Sequence, residues 1–309
     1  MSGAVMGERP ILVGYDGSEG ARLALAWALD EATRTGAPVR LAYAFEWMTA
    51  GSWIGPGPGP GTWPDDTTRQ EVGELVSAAV SEAADSHPDL TVRGEVLDTP
   101  AAIGLRQRSA DAAMVVLGSR GHGGFSGLLA GSTTIAVSAH AQCPVVIVRP
   151  STVDPPDAPV AADRDAGRGA DHGRRRIVVG TDGSPYARLA LDWAVRRALS
   201  RAVPVHAIRA RHEPRRPWRP ADPDPADVSR DELAALDEEL AGWRDRYPDL
   251  PITAEVVPGH PTAVLVEASR QAQLVVVGSR GQGGFRGLVL GSVSQQLLHH
   301  THSPLAVVH

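Results

Sequence analysis

The residues with the most chemical reach come in pairs. An Asp-Gly-Ser triplet, Asp16 to Ser18, follows the run ILVGY, and the same triplet, Asp182 to Ser184, follows IVVGT. A glycine-dense stretch, GSRGHGGFSGLLAGST, begins at Gly118 behind MVVL, and GSRGQGGFRGLVLGSV begins at Gly278 behind LVVV. Gly118 and Gly121 let a backbone turn tightly and approach a ligand without a Cβ in the way. Gly131 and Ser132 then open a helix, whose unsatisfied N–H groups and dipole favour an anion. Ser132 is able to cap that helix and to donate its hydroxyl to a phosphate oxygen. Gly278, Gly281, Gly291 and Ser292 repeat the arrangement. A surface loop followed by an ordinary capped helix fits the same letters, and glycine spacing leaves both readings open. Asp16 is equally two-sided. It can join Ser18 in capping a helix, or accept a hydrogen bond from a ribose hydroxyl or water beside a ligand.

These residues need elements to hold them, and the chain supplies two sets. ILVGYDGSEGARLALAWALDEA at 11–32 matches IVVGTDGSPYARLALDWAVRRA at 177–198, GAPVRLAYAFEW matches AVPVHAIRARHE, and CPVVIVRP matches the closing SPLAVVH. The common order points to a tandem duplication. In the first copy, short apolar runs at 10–14, 39–45, 91–97, 112–118 and 144–149 read as strands covered on both faces. Helical stretches at 18–34 (periodic through Leu23, Trp27 and Ala28), about 67–86, 100–110 and from 132 alternate with them. The expectation is α/β: two tandem doubly wound, Rossmann-like domains, each with a five-stranded parallel sheet. The domains are residues 1–150 and 174–309, joined by a flexible linker at 151–173 that is rich in Pro, Asp, Gly and Arg. In such sheets ligands bind beyond the strands' carboxyl ends, where the strand order reverses; the Asp-Gly-Ser triplets and the glycine stretches both fall at strand ends. Loops containing Trp53, Trp63 and Trp218 occupy equivalent places in the copies, as lids or as packed surface.

Composition narrows the chemistry. All 30 basic residues are arginine, so no lysine is present to clamp phosphate as a Walker motif requires. A net charge of −6 argues against a nucleic-acid surface, and the longest apolar runs are strand-sized, too short for a membrane span. The opening residues lack a secretory pattern and Cys143 is the single cysteine, which together suggest a cytoplasmic protein with Cys143 as a buried small hydrophobe. His122 has Gln282 as its counterpart, so a hydrolytic role common to both copies is not expected of it. Arg120 and Arg280 can meet phosphate or solvent. His299, His300, His302 and His309 lie on a helix end and a strand, and no metal site is expected of them.

The chain resembles tandem universal stress proteins. In that family G-x2-G-x9-G-[ST] marks an ATP-binding domain, and Gly118, Gly121, Gly131 and Ser132, then Gly278, Gly281, Gly291 and Ser292, fit the spacing. The resemblance implies an adenine read by backbone atoms near Ala44 and Ala210, with Asp16 and Asp182 beside the ribose. It implies phosphates on the Gly-x-x-Gly turn and the Gly-Ser helix start, with backbone N–H groups of Thr133 and Val293, and a magnesium ion with the ATP. It also implies that the last strands, 144–149 and 304–308, form an intramolecular pseudo-dimer, and admits a homodimer and a regulatory protein partner. The functional expectation is an ATP-binding stress-response regulator with one nucleotide site per domain and little or no turnover. The alternative is a slow ATPase or an adenylyl or phosphoryl transferase.

Overall fold

The computed structural model describes residues 9–44, 66–121, 130–150, 176–211, 225–283 and 289–309. The chain divides between Arg149 and Pro150 into two units. In unit 1, β1 (Ile11–Gly14), β2 (Val39–Ala44), β3 (Val92–Leu97), β4 (Met114–Gly118) and β5 (Val145–Val148) alternate with α1 (Glu19–Thr35), α2 (Asp66–Ser86), α3 (Ala101–Arg108) and α4 (Ser132–His140). Unit 2 repeats this with β6 (Arg176–Gly180), α5 (Pro185–Arg201), β7 (Val205–Arg211), α6 (Pro225–Arg246), β8 (Ile252–Pro258), α7 (Pro261–Ala268), β9 (Ala272–Gly278), α8 (Ser292–His300) and β10 (Leu305–Val308).

Within unit 1 the strands lie in the order β3-β2-β1-β4-β5, and within unit 2 β8-β7-β6-β9-β10. All pairings inside each unit are parallel. The order reverses between β1 and β4, and again between β6 and β9. With right-handed crossovers this puts α1 and α2 on one face and α3 and α4 on the other, and α3 indeed packs on α4. Covered on both sides, the central strands are apolar at every step: Ile11, Leu12 and Val13 are at most 1% exposed.

Of the three residues that carry the periodicity of α1, Ala28 is fully buried. Ala21, Ala24, Leu25, Ala28, Leu29 and Ala32 point inward, whereas Leu23 and Trp27 are only half-buried. Close approach of the helix to the sheet selects alanines over bulk. Cys143 is buried, and burial pushes its thiol up to about 12, so it is a packed hydrophobe rather than a nucleophile. No helix among the described residues is long and apolar enough to cross a membrane. The expected linker at 151–173, the loops with Trp53, Trp63 and Trp218, and His122 lie outside the described residues.

Candidate functional site

At the switch point of each unit, the loop after the first strand meets the loop after the fourth. The first is an Asp-anchored turn. Gly17 has φ +82° and Gly183 φ +78°, a conformation side chains resist. Asp16 Oδ1 accepts from the Ser18 amide at 3.0 Å and the Ser18 hydroxyl at 2.6 Å. Ser18 Oγ in turn accepts from the Ala21 amide at 3.2 Å, capping α1. In unit 2 the Ser184 amide donates to Asp182 Oδ1 at 3.0 Å, and Ser184 caps α5 through the Ala187 amide at 3.2 Å. Serine therefore caps, and the aspartate braces the turn.

The other carboxylate oxygen faces the glycine loop. The Gln282 amide donates to Asp182 Oδ2 at 2.8 Å, while Gln282 Nε2 donates to the Asp182 carbonyl at 2.5 Å. A Cβ on Gly281 would collide with Asp182 Oδ2, and one on Gly121 would collide with Asp16 Oδ2. The absence of side chains at 121 and 281 lets the aspartate tie the two loops together.

Gly118 and Gly278 make a close approach of backbone to backbone. A Cβ on Gly118 would stand 2.5 Å from the carbonyl carbon of Gly20, and one on Gly278 2.7 Å from that of Tyr186. These glycines admit the backbones of α1 and α5 against the strand ends. Behind them, Thr134 Oγ1 donates to the Gly118 carbonyl at 3.0 Å and Ser294 Oγ to the Gly278 carbonyl at 2.7 Å. The Gly131 amide donates to the Ser119 carbonyl at 2.8 Å, and Gly291 to Ser279 at 2.7 Å. Strand end and helix start are thus held in register.

The helix start itself corrects one expectation. Ser132 and Ser292 do not cap; they are the first helical residues, and Gly131 and Gly291 occupy the cap positions with no side-chain bond. The Gly131 carbonyl accepts the first intrahelical bond, from the Ile135 amide at 3.0 Å, which sets Ser132 one step inside. The amides of Ser132, Thr133 and Thr134, and of Ser292, Val293 and Ser294, precede that bond and lack helical acceptors. An uncapped start is receptive to an anion, in contrast to the serine-capped α1 and α5 beside it. Gly131 has φ −73° and ψ 154°, and a Cβ there would meet nothing closer than Ser119 O at 3.7 Å. It is the motif glycine with open space before it.

Ala44 is the last residue of β2, and Ala210 lies one residue from the end of β7, both in strands adjoining the switch-point strand of their unit. Their neighbours differ in a way sequence reasoning passed over. Tyr43 packs on Val72 and Val76, and burial followed by the Asp16 charge raises its phenol above the usual value. Arg209, at the same place in unit 2, pairs with Glu239 at 2.6 Å, with the side chains 18% and 14% exposed. The Tyr43/Arg209 mismatch in the aligned copies was the available signal. Among the described residues, no three His, Cys, Asp or Glu side chains converge on a metal position.

Two tandem doubly wound α/β units, each with an aspartate-braced turn at the switch point and a helix that starts at a glycine without a side-chain cap, define the class. Residues 8–149 and 173–309 match the Universal stress protein family, and the chain belongs to it. A universal stress protein of Mycobacterium tuberculosis is 34% identical over 309 residues, covering 96% of each chain. One of Mycolicibacterium smegmatis is 33% identical over 310 residues, covering 97% of each. The crystal structure of a universal stress protein from Archaeoglobus fulgidus shares the fold with a TM-score of 0.65 at 18% identity, over 97% of this chain and 95% of that one. A putative universal stress protein from Pseudomonas aeruginosa gives 0.62 at 14% identity, over 97% and 93%.

Proposed function

We propose that the protein is a nucleotide-binding stress-response regulator that holds one ATP in each unit with little or no turnover. The observation that carries this reading is the helix start without a side-chain cap, present in both units next to the loop residues 119–120 and 279–281 that lead to the glycine packed on the aspartate-braced turn. Phosphates would take the amides of Ser132 and Thr133, or Ser292 and Val293, and the exposed hydroxyls of Ser132 and Ser292. Gly121 and Gly281 would floor the ribose beside Asp16 and Asp182, and the backbone at Ala44 and Ala210 would read the adenine edge. Magnesium would travel with the triphosphate, ligated by its oxygens and by water. Low turnover is supported by Asp182, whose two carboxylate oxygens already accept protein amides, and by the lack of any lysine; phosphoryl transfer needs a positioned cation and a group to orient the nucleophile. A cytoplasmic location, an intramolecular pseudo-dimer, a homodimer and a regulatory protein partner are proposed on the family resemblance.

Mass spectrometry of small molecules released by denaturing the purified chain tests this directly, with adenine nucleotide expected at about two per chain. Titration of ATP into the Asp16→Ala/Asp182→Ala double variant is expected to show weakened binding. Absence of nucleotide, together with no heat on titrating ATP into the wild type, would refute the reading. Turnover of many ATP per minute, abolished by a point change in the pocket, would establish an enzyme instead.

A further inference from the structure

The side chains that fasten the glycine loop of unit 2 to the turn it faces are replaced by other residues in unit 1. Gln282 touches Asp182 twice. Its backbone amide donates to Oδ2 of the carboxylate at 2.8 Å, and its side-chain Nε2 donates to the main-chain carbonyl at 2.5 Å. The second contact uses none of the carboxylate's acceptor capacity. It grips the backbone of the turn, so the side chain works as a latch rather than a plug. Nε2 also lies 3.4 Å from where a Gly183 Cβ would stand, with Arg209 Nη2 at 3.6 Å and Glu239 Oε2 at 4.0 Å from the same point. Arg209 and Glu239 are themselves paired at 2.6 Å. The positive-φ glycine of unit 2 is thus held between an amide and an ion pair. At Gly17 the three nearest atoms, among the described residues, all belong to Leu75. Tyr43 stands in unit 1 for Arg209, and His122 for Gln282. Just before Gly281, the Arg280 guanidinium lies over the Tyr186 ring, 5.4 Å from its centroid, where unit 1 has Gly20. Residues 280 and 282 are therefore both anchored, one on each side of Gly281.

We propose that Gln282 is a positioning residue of the unit-2 nucleotide site: it latches the glycine loop onto the Asp182 turn ahead of the ligand, so that Gly281 and Asp182 are in place before a nucleotide arrives. This rests on the nucleotide reading above and adds to it how the loop is set. A loop ordered in advance does not draw its ordering entropy from the binding free energy. Loss of the latch therefore weakens the ligand without touching a ligand contact.

Gln282→Met keeps the length of the side chain, removes its donor and adds no charge, while the backbone amide of residue 282 stays. The full chain with its first site blocked by Gly131→Val reports on unit 2 in calorimetric titrations with Mg–ATP. There Gln282→Met is expected to weaken ATP about fivefold, the scale of one neutral hydrogen bond, with an unchanged unfolding midpoint because residue 282 is exposed. In the unblocked chain the same substitution is expected to weaken one of the two binding phases and spare the other, which guards against a blocking variant that fails to fold. Millisecond hydrogen exchange of the nucleotide-free chain reads the latch itself. The amide of residue 282 is expected to be protected in the wild type, to lose that protection in Gln282→Met, and to regain it with Mg–ATP. Unprotected exchange in the free wild type would overturn the latch. Protection with an ATP affinity that Gln282→Met leaves unchanged would overturn the positioning role while leaving nucleotide binding intact. A wild type that binds no ATP would overturn the nucleotide reading and, with it, the role assigned to Gln282.

Discussion

Alanine at Gly118 and alanine at Gly131 are expected to do opposite things, although both are motif glycines. At Gly118 the new Cβ would lie 2.5, 2.7 and 2.9 Å from the C, O and Cα atoms of Gly20. Non-bonded carbons settle about 3.5–4 Å apart, so α1 must retreat by roughly 1 Å, and no flexible side chain is available to yield instead. Overpacking of that kind costs about 1–3 kcal/mol. At Gly131 the nearest atom is 3.7 Å away and the backbone is extended, so the methyl fits the protein. Alanine is a poorer helix cap than glycine, by about 0.5 kcal/mol, and little else changes in the fold. The methyl instead occupies the approach to the free amides, and in the Gly131→Ala/Gly291→Ala protein ATP affinity is expected to fall at least about tenfold, or ~1.4 kcal/mol. Urea denaturation and calorimetric titration of ATP measure the two effects separately. A Gly118→Ala protein as stable as the wild type would remove the packing argument. Unchanged ATP affinity in the Gly131→Ala/Gly291→Ala protein would sink the cradle.

Glu239→Gln leaves Arg209 without its counter-charge in a largely buried setting and is expected to destabilise unit 2 by about 2 kcal/mol; an unshifted unfolding midpoint would show the pair to be solvated. His206 accepts or donates at 2.8 Å with Thr253 Oγ1 and at 2.9 Å with Glu255 Oε2. Burial, reinforced by the Arg176 charge, lowers its pKa against the opposing pull of Glu255. A lowered histidine favours the neutral form in the fold, so its contribution is complete above the unfolded value of about 6.5 and is lost as pH falls through the folded value. Melting temperature is accordingly expected to drop more in the wild type than in His206→Gln between about pH 7.5 and pH 5, and parallel drops would contradict the assignment.

Much of this architecture is legible in the chain. MVVLG and LVVVG are apolar at consecutive positions because helices cover both faces of β4 and β9, and a doubly buried strand announces itself without partners. Asp-Gly-Ser marks a turn because glycine tolerates the positive φ that Gly17 and Gly183 adopt and serine caps the helix behind it. The duplication places both features twice, which makes the switch point legible without any tertiary contact. The periodicity through Leu23, Trp27 and Ala28 marks α1 as a helix, but which of the three is fully buried, Ala28, depends on how closely the helix approaches the sheet.

The sequence by itself determined the two-unit α/β plan, the strand ends that matter and the glycine positions, since these come from period, turn chemistry and repetition along the chain. Only the tertiary structure decided what each glycine is for. Gly118 admits the backbone of α1, Gly121 admits the Asp16 carboxylate, and Gly131 leaves a helix start bare. The tertiary structure also revealed that Ser132 stands inside the helix and that Tyr186 captures Arg280. A missing Cβ reads the same at every glycine; the atom that fills its place is set by strand register and helix approach, which bring together residues about a hundred positions apart.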